Sequence, residues 1–223
     1  VAITVPTGEL VRILTDTLPF VHPDPELPNL NAVRIEWDAT MLHALTTDKV
    51  RAAHSSWHPH DDPDGDAQDP MGVSWGGADD AWACIISAPD AKDIVKTFKL
   101  GAKETRTPVT VDFDRGRLIV FRSPQTGHSE HRMAVKEQLV DHPDVRDMID
   151  GPEDAEPAYG VEYCASFIAD FKLVQPRGGL KLQFTKGFTR VEIGDRFVGG
   201  LIPTRIERKR GGPQVEQASD GDL

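Results

Sequence analysis

The densest set of potentially reactive side chains runs from His54 to Asp66: His54, His58 and His60, with Asp61, Asp62, Asp64 and Asp66. Imidazole and carboxylate groups together suit Zn, Ni or Mn, and His58 and His60, two residues apart, can ligate from one side of an extended strand. Asp62-Pro63-Asp64-Gly65-Asp66 has the look of a calcium loop, but its glycine is misplaced and Val73 stands where that loop needs glutamate. No hydrophobic period fixes the segment on a helix or strand, so a solvated loop without metal is the expectation. A metal-dependent hydrolase is the enzyme-class alternative. Nucleophilic catalysis has less support. There is no GxSxG elbow, and His128, Ser129, Glu130 and His131 fall together in a loop. Cys84 and Cys164 have no CxxC spacing and read as two reduced, half-buried thiols. The chain is therefore expected to be non-enzymatic and to need no cofactor.

The basic residues are placed unevenly. The 223 residues carry a formal net charge of −11, which argues against a surface coated with phosphate-binding groups. Between Arg51 and Lys92 there is no Lys or Arg but there are eight aspartates, and the next stretch brings Lys92, Lys96, Lys99, Lys103 and Arg106. Such a chain can meet a polyanion on one face and repel it elsewhere. No stretch approaches the ~20 apolar residues of a membrane helix, and Val1-Ala2-Ile3-Thr4-Val5 lacks the basic start and long apolar run of a secretory signal. A membrane or exported protein is not expected.

The elements that must position these residues follow from periodicity. Thr7 can cap a helix over 8–18, with Leu10, Val11, Leu14 and Leu18 at helical spacing. Val33–Trp37 alternates apolar and charged residues as a strand does, and 41–53 reads as a strand pair or one long bent strand. Residues 54–81, rich in Asp, Gly, Pro, His and Ser, read as a long mobile surface insertion. A strand over 82–86 leads to Ser87-Ala88-Pro89-Asp90, a helix start with proline in the first turn, burying Ile94, Val95 and Phe98. Strands are predicted near 109–113, 118–121 and 131–136. A third helix is predicted over 161–174 with Cys164, Phe167, Ile168 and Phe171 on one face, then strands near 180–184, 191–193 and 197–202. One unit thus recurs three times: a lead strand or turn, an amphipathic helix, then antiparallel strands. The fold class is α+β, and without GxGxxG or GxxxxGK[ST] the nucleotide-binding α/β folds drop out.

Four segments, in order, carry a family resemblance. Leu30-Asn31-Ala32-Val33-Arg34-Ile35-Glu36 followed by Leu45-Thr46-Thr47-Asp48-Lys49-Val50-Arg51-Ala52-Ala53 resembles the middle domain of the bacterial DNA sliding clamp, the β subunit of DNA polymerase III. Leu139-Val140-Asp141-His142-Pro143-Asp144-Val145 is similar to the family's LVDGRFPDY segment, Tyr159-Gly160-Val161-Glu162-Tyr163 to the start of its last helix, and Gly200–Ile206 to its terminal VVMPMRL. The family's glycine and histidine after Thr-Asp are Lys49 and Val50 here. A first domain and the first half of the last are missing, which leaves about one and a half clamp domains. The shortened, divergent form suggests a viral or mobile-element origin. The expected division is a complete domain over 1–145, with 54–81 inserted, a linker over 146–158, a half-domain over 159–206, and a disordered polar tail over 207–223.

The resemblance implies a processivity factor, cytoplasmic and nucleoid-associated, whose helices face duplex DNA through few, sequence-independent contacts. Arg12, Lys92, Lys96, Lys99 and Lys172 are the expected DNA-facing residues. It also implies a hydrophobic pocket for short peptides of a polymerase, other replication or repair proteins, or a clamp loader, and Leu30, Thr47, Arg51, Ile202 and Pro203 match pocket positions. Family rings contain twelve half-domain units, so three units per chain imply a homo-oligomer of four. A non-ring adaptor or decoy that binds clamp-interacting peptides is the alternative.

Overall fold

The computed structural model describes residues 1–59, 74–77, 79–101, 104–122, 129–151, 161–174, 179–185 and 187–203. Strand β1 (Ala2–Pro6) runs directly into helix α1 (Thr7–Thr17), whose Leu10, Ile13 and Leu14 are fully buried. After a 3-10 turn at Leu18–Phe20 come β2 (Ala32–Trp37), β3 (Leu42–Thr47) and β4 (Arg51–Trp57). The short β5 (Gly76–Gly77) and β6 (Trp82–Ser87) lead to α2 (Ala88–Phe98), followed by β7 (Pro108–Asp114), β8 (Arg117–Arg122) and β9 (His131–Lys136). A short helix α3 (Val145–Asp150) precedes α4 (Ala165–Asp170), a second 3-10 turn, and β10 (Leu180–Phe184), β11 (Thr189–Ile193) and β12 (Phe197–Leu201).

All strand pairs are antiparallel and fall into two sheets. One has the order β5-β1-β7-β8-β9, the other β10-β11-β12-β4-β3-β2-β6. The strand leading into each of the first two helices lies in the other helix's sheet: β1 pairs with β7, and β6 with β2. Helices α1 and α2 pack on each other, and both sheets and both helices share one apolar core that includes Val5, Ile13, Leu14, Ile35, Ile94, Val111 and Val120. The two α+β units of this first domain are thus closed over one another. The C-terminal strands extend one of the two sheets, because β12 pairs with β4.

Local chemistry explains where the helices begin. Ser87 caps α2: its side chain accepts the Asp90 N–H at 3.1 Å and donates to the Asp90 carboxylate at 2.6 Å. Thr7 does not cap α1. It is the first helical residue, and its hydroxyl instead donates to the Thr107 carbonyl at 2.6 Å, pinning the helix start to the loop before β7. Residues 41–53 form a hairpin, β3 and β4, rather than one bent strand.

Three further expectations are corrected. The insertion begins later than His54, since His54–Trp57 completes β4 and Trp57 is buried. At its far end Trp75 packs on the core and Gly76–Gly77 pairs with β1. His60, Asp61, Asp62, Asp64, Asp66 and His128 lie outside the described residues, as do 152–158 of the expected linker, 159–160 and 204–206 of the expected half-domain, and the 207–223 tail. The start of that linker is helical: the Asp144 side chain caps α3 by accepting the N–H groups of Arg146 and Asp147, and Val145 and Ile149 pack on Leu45 and Ala52. The third helix is short, with Cys164 and Ile168 exposed. Only Phe171 of the four expected apolar-face residues is buried, while Phe167 is half-buried. Cys84, by contrast, is buried in β6, and burial pushes its thiol pKa up to about 12, so it is inert as a nucleophile.

Candidate functional site

The seam where the C-terminal strands join the first domain gathers several of the residues singled out by sequence. The β3–β4 hairpin turns tightly at Asp48–Lys49–Val50. Asp48 holds the turn by accepting the N–H groups of Val50 (2.9 Å) and Arg51 (2.7 Å), while the Thr47 hydroxyl donates to the Arg51 carbonyl at 2.7 Å. Lys49 sits at φ +75°, a left-handed conformation that glycine adopts at no steric cost. Directly across the seam Leu201 pairs with Arg51, and the Ile202 N–H donates to the Val50 carbonyl at 2.9 Å. Thr47, Arg51, Ile202 and Pro203 therefore converge. Leu30 is fully buried in the turn before β2, its carbonyl accepting the His22 N–H.

Arg51 is buried and fixed from several sides. Its guanidinium donates to Asp48 at 2.7 and 2.9 Å and to Asp170, and lies 4.7 Å from the Phe167 ring centroid and 5.5 Å from that of Phe20. Such a group is held as a strut between hairpin and α4, with little freedom to follow a ligand. Ile202 differs: it is 40% exposed, the apolar residue that the seam presents to solvent. Met148 of α3 also reaches this place, its sulfur 3.7 Å from the Thr47 hydroxyl. Sequence reasoning missed Met148 and Phe167 as neighbours of Thr47 and Arg51. The signal for Met148 was present in Asp144 followed by the apolar pair Val145 and Ile149, a capped helix start within the expected linker.

The seam is closed by small residues and rings. A Cβ on Gly199 would come within 2.8 Å of the Phe171 ring and 3.1 Å of the Ala52 carbonyl, and one on Gly200 would enter the Phe188 ring. Only glycine lets β12 lie this close to β4 with a phenyl on each face. On the inner side Phe20, Phe171 and Phe197 form a trio with centroids 4.9, 5.8 and 6.3 Å apart.

The outer face of the same sheet carries a hydrogen-bonded chain. Asp38 lies 2.9 Å from His43 Nε2, and His43 Nδ1 lies 2.9 Å from His54 Nε2. Burial, reinforced by the electrostatic influence of neighbouring His43 and Arg146, lowers the His54 pKa to about 4, so that imidazole is neutral at pH 7. Burial alone would raise Asp38, but the bonds from His43, Thr40 and the Met41 and Thr40 N–H groups outweigh it and hold the carboxyl well below its usual range. Glu36 is likewise lowered against its burial by Arg146 and Arg34. No group of three or more metal-ligating side chains occurs among the described residues.

The basic residues separate into two kinds. Lys92, Lys96 and Lys99 are exposed along and just beyond α2, and Lys172 is exposed in the 3-10 turn after α4. Arg12 is not a surface cation. It is 3% exposed and ion-paired to Glu9 (2.8 Å) and Asp16 (3.1 Å), and it donates to the Ser55 hydroxyl and the Ser56 carbonyl. The polar side of α1 faces β4, which supplies those acceptors, so the expected DNA-facing role is withdrawn for this residue.

No family model matches the sequence, and no curated protein matches it. The arrangement of strands and helices, however, is that of the bacterial DNA sliding clamps. The chain superposes on the β subunit of DNA polymerase III from Thermotoga maritima with TM-score 0.68 at 12% identity, covering 92% of this chain and 66% of that one. The Pseudomonas aeruginosa clamp bound to griselimycin gives 0.70 at 11%, with 92% and 66% covered, and the Bacillus subtilis clamp 0.64 at 14%, with 92% and 64% covered. This is a divergent sliding-clamp fold of α+β class, and the chain spans about one and a half clamp domains of it. The chain spans about two thirds of the length of the clamps it matches. No helix among the described residues is long and apolar enough to cross a membrane.

Proposed function

We propose that the protein is a non-enzymatic, clamp-like processivity factor that rides on or encircles duplex DNA and tethers a polymerase or another replication or repair protein. The observation that carries this reading is the exposure of Lys92 and Lys96 on α2 and of Lys99 just beyond it, in a chain of net charge −11. Lys92 and Lys96, four residues apart, project from one side of the helix. A few cations on one face favour phosphates without reading sequence, and an acidic remainder limits stray binding. Ile202 and Pro203, beside Thr47 and the fixed Arg51, supply an apolar anchor point for a short peptide. A protein of this type acts in the cytoplasm, at the nucleoid.

Retention on nicked circular duplex DNA tests the reading directly. Lys92→Glu with Lys96→Glu should lower retention at least tenfold at moderate salt, because each removed phosphate contact also flattens the salt dependence. Unchanged retention by a folded double variant would overturn the DNA-facing role of α2. Ile202→Asp should abolish binding of a clamp-interacting peptide while leaving DNA retention intact. Peptide binding without any DNA retention by the native chain would favour an adaptor.

A further inference from the structure

The tip of the β3–β4 hairpin carries one charge that the fold leaves unused. Leu201 pairs with Arg51, and the Ile202 N–H donates to the Val50 carbonyl. The same count along the two segments sets Pro203 level with Lys49. Paired strands lie about 5 Å apart, a gap that the four-carbon stem of a lysine spans. The Lys49 ammonium is thus within reach of anything that rests on the exposed Ile202 and on Pro203.

The charged side chains that build the seam are committed to one another. Asp48 and Asp170 both hold Arg51, and Asp150 holds Arg190. Lys49 is exposed, and among the described residues no carboxylate forms an ion pair with it. Its backbone stands at φ +75°, where glycine is the less strained residue. Ala39 and Arg115 also have positive φ, so strain by itself names no site. What singles out Lys49 is an unpaired cation beside an exposed apolar residue.

We propose that Lys49 selects the peptide that docks at the seam: a short segment that sets an apolar side chain on Ile202 and Pro203 and carries an Asp or Glu one or two residues from that anchor. The inference rests on the peptide-tethering reading above and names the chemistry of the peptide. An apolar anchor supplies affinity but little discrimination among peptides, whereas a charge at the rim favours the opposite charge and disfavours a like one. Arg51 does not perform this task, because its donors are taken by Asp48 and Asp170. The chain as a whole, at −11, repels an acidic peptide at long range, so the attraction is local to the hairpin tip.

Fluorescence anisotropy of the full chain with three labelled hexapeptides provides the test. All three carry the same Leu and Phe anchors and an amidated C-terminus, and the residues flanking the anchors are Asp, Asn or Lys. At about 0.1 M salt the native chain should bind the Asp peptide about two- to fivefold more tightly than the Asn peptide, the range open to an exposed charge pair. The Lys peptide should bind more weakly than either. Lys49→Gly should bring the Asp-to-Asn ratio to one or below, Lys49→Glu should invert the order in favour of the Lys peptide, and Lys49→Arg should keep the native preference. Repulsion by the rest of the chain is nearly common to native and variant forms, so the change in ratio reports Lys49. Equal affinity of the native chain for the Asp and Asn peptides, or a preference that survives Lys49→Gly, would overturn selection by Lys49 and leave the docking site standing. No binding of any of the three would overturn the docking reading and this inference with it.

Discussion

Helices α1 and α4 are both short, both rich enough in apolar residues to bury a face, and both lead into three antiparallel strands. Helix α1 buries seven of its eleven residues, including the charged Arg12 and Asp16, whereas α4 buries none of its six. The difference does not lie in composition, since α4 carries Phe167 and Ile168. It lies in the company each helix keeps. Helix α1 has α2 on one side and β3 and β4 on another, while among the described residues α4 is held through Phe167 on the cluster of Phe20, Ala53 and Val191 and through Asp170 on Arg51. Burial in this fold is thus conferred by a sister unit, and a unit without one leans on whatever its sheet is spliced to. Here the splice is the β12–β4 seam.

The largest expected effect comes from cutting the C-terminal unit loose at that seam. Phe20 belongs to the first domain but is fully buried against Phe171 and Phe197. Phe20→Ala should cost about 3–5 kcal/mol in urea unfolding, the usual range for an emptied aromatic site. It should also separate the transition into two steps. Trp37, Trp57, Trp75 and Trp82 all lie in the first domain, so tryptophan fluorescence will follow that domain alone while far-ultraviolet circular dichroism follows both. A single coincident transition in the variant would mean that the two regions do not fold as separable units.

A somewhat smaller effect is expected from acid. His54 lies on β4 opposite Val198 of β12, facing His43, with Arg146, Glu36 and Asp150 nearby. Its folded pKa of about 4 lies below the usual 6.5, so the unfolded chain takes up a proton first as pH falls. Stability should therefore be lost between about pH 6.5 and 4, by roughly 3 kcal/mol, and level off for this group below that window. Denaturant midpoints measured across the range will show the slope, and His54→Gln should reduce it. An equal slope in the variant would assign the acid sensitivity to other groups.

The smallest effect concerns the hairpin turn that feeds the seam. Lys49 holds a left-handed backbone without being glycine. Lys49→Gly should raise stability by about 1 kcal/mol or less, as relief of steric cost outweighs the added freedom of the unfolded chain. A loss would show that the lysine side chain makes a compensating contact.

Much of the first domain was legible because its signals are local. Ser87 to Asp90 marks a helix start by chemistry within four residues, and Val109, Val111 and Phe113 mark a strand by alternation. The third unit was legible in its strands but not in its helix. Phe167, Ile168 and Phe171 give a helical stripe, yet burial of such a stripe depends on a partner surface elsewhere. Arg12 failed for the opposite reason. A charged residue on a helix predicts solvent unless another element supplies acceptors, and Glu9, Asp16, Ser55 and Ser56 come together only in the folded chain. The seam residues Thr47, Arg51 and Ile202 were legible through family resemblance rather than spacing. Their neighbour Met148 stayed hidden because α3 fell where a linker was expected.

The unbroken ladder from β10 to β6 has a consequence for curvature. Adjacent strands in a sheet are rotated by roughly 20–25° relative to one another, so the third unit is set at an angle to the first domain by hydrogen-bond register and not by a tether. A slip of one residue between β12 and β4 would turn Phe197 and Leu201 outward and Val198 inward. The bend that any larger assembly of these chains inherits is therefore written into five paired residues on each strand, held at a fixed pitch like staves in a cask.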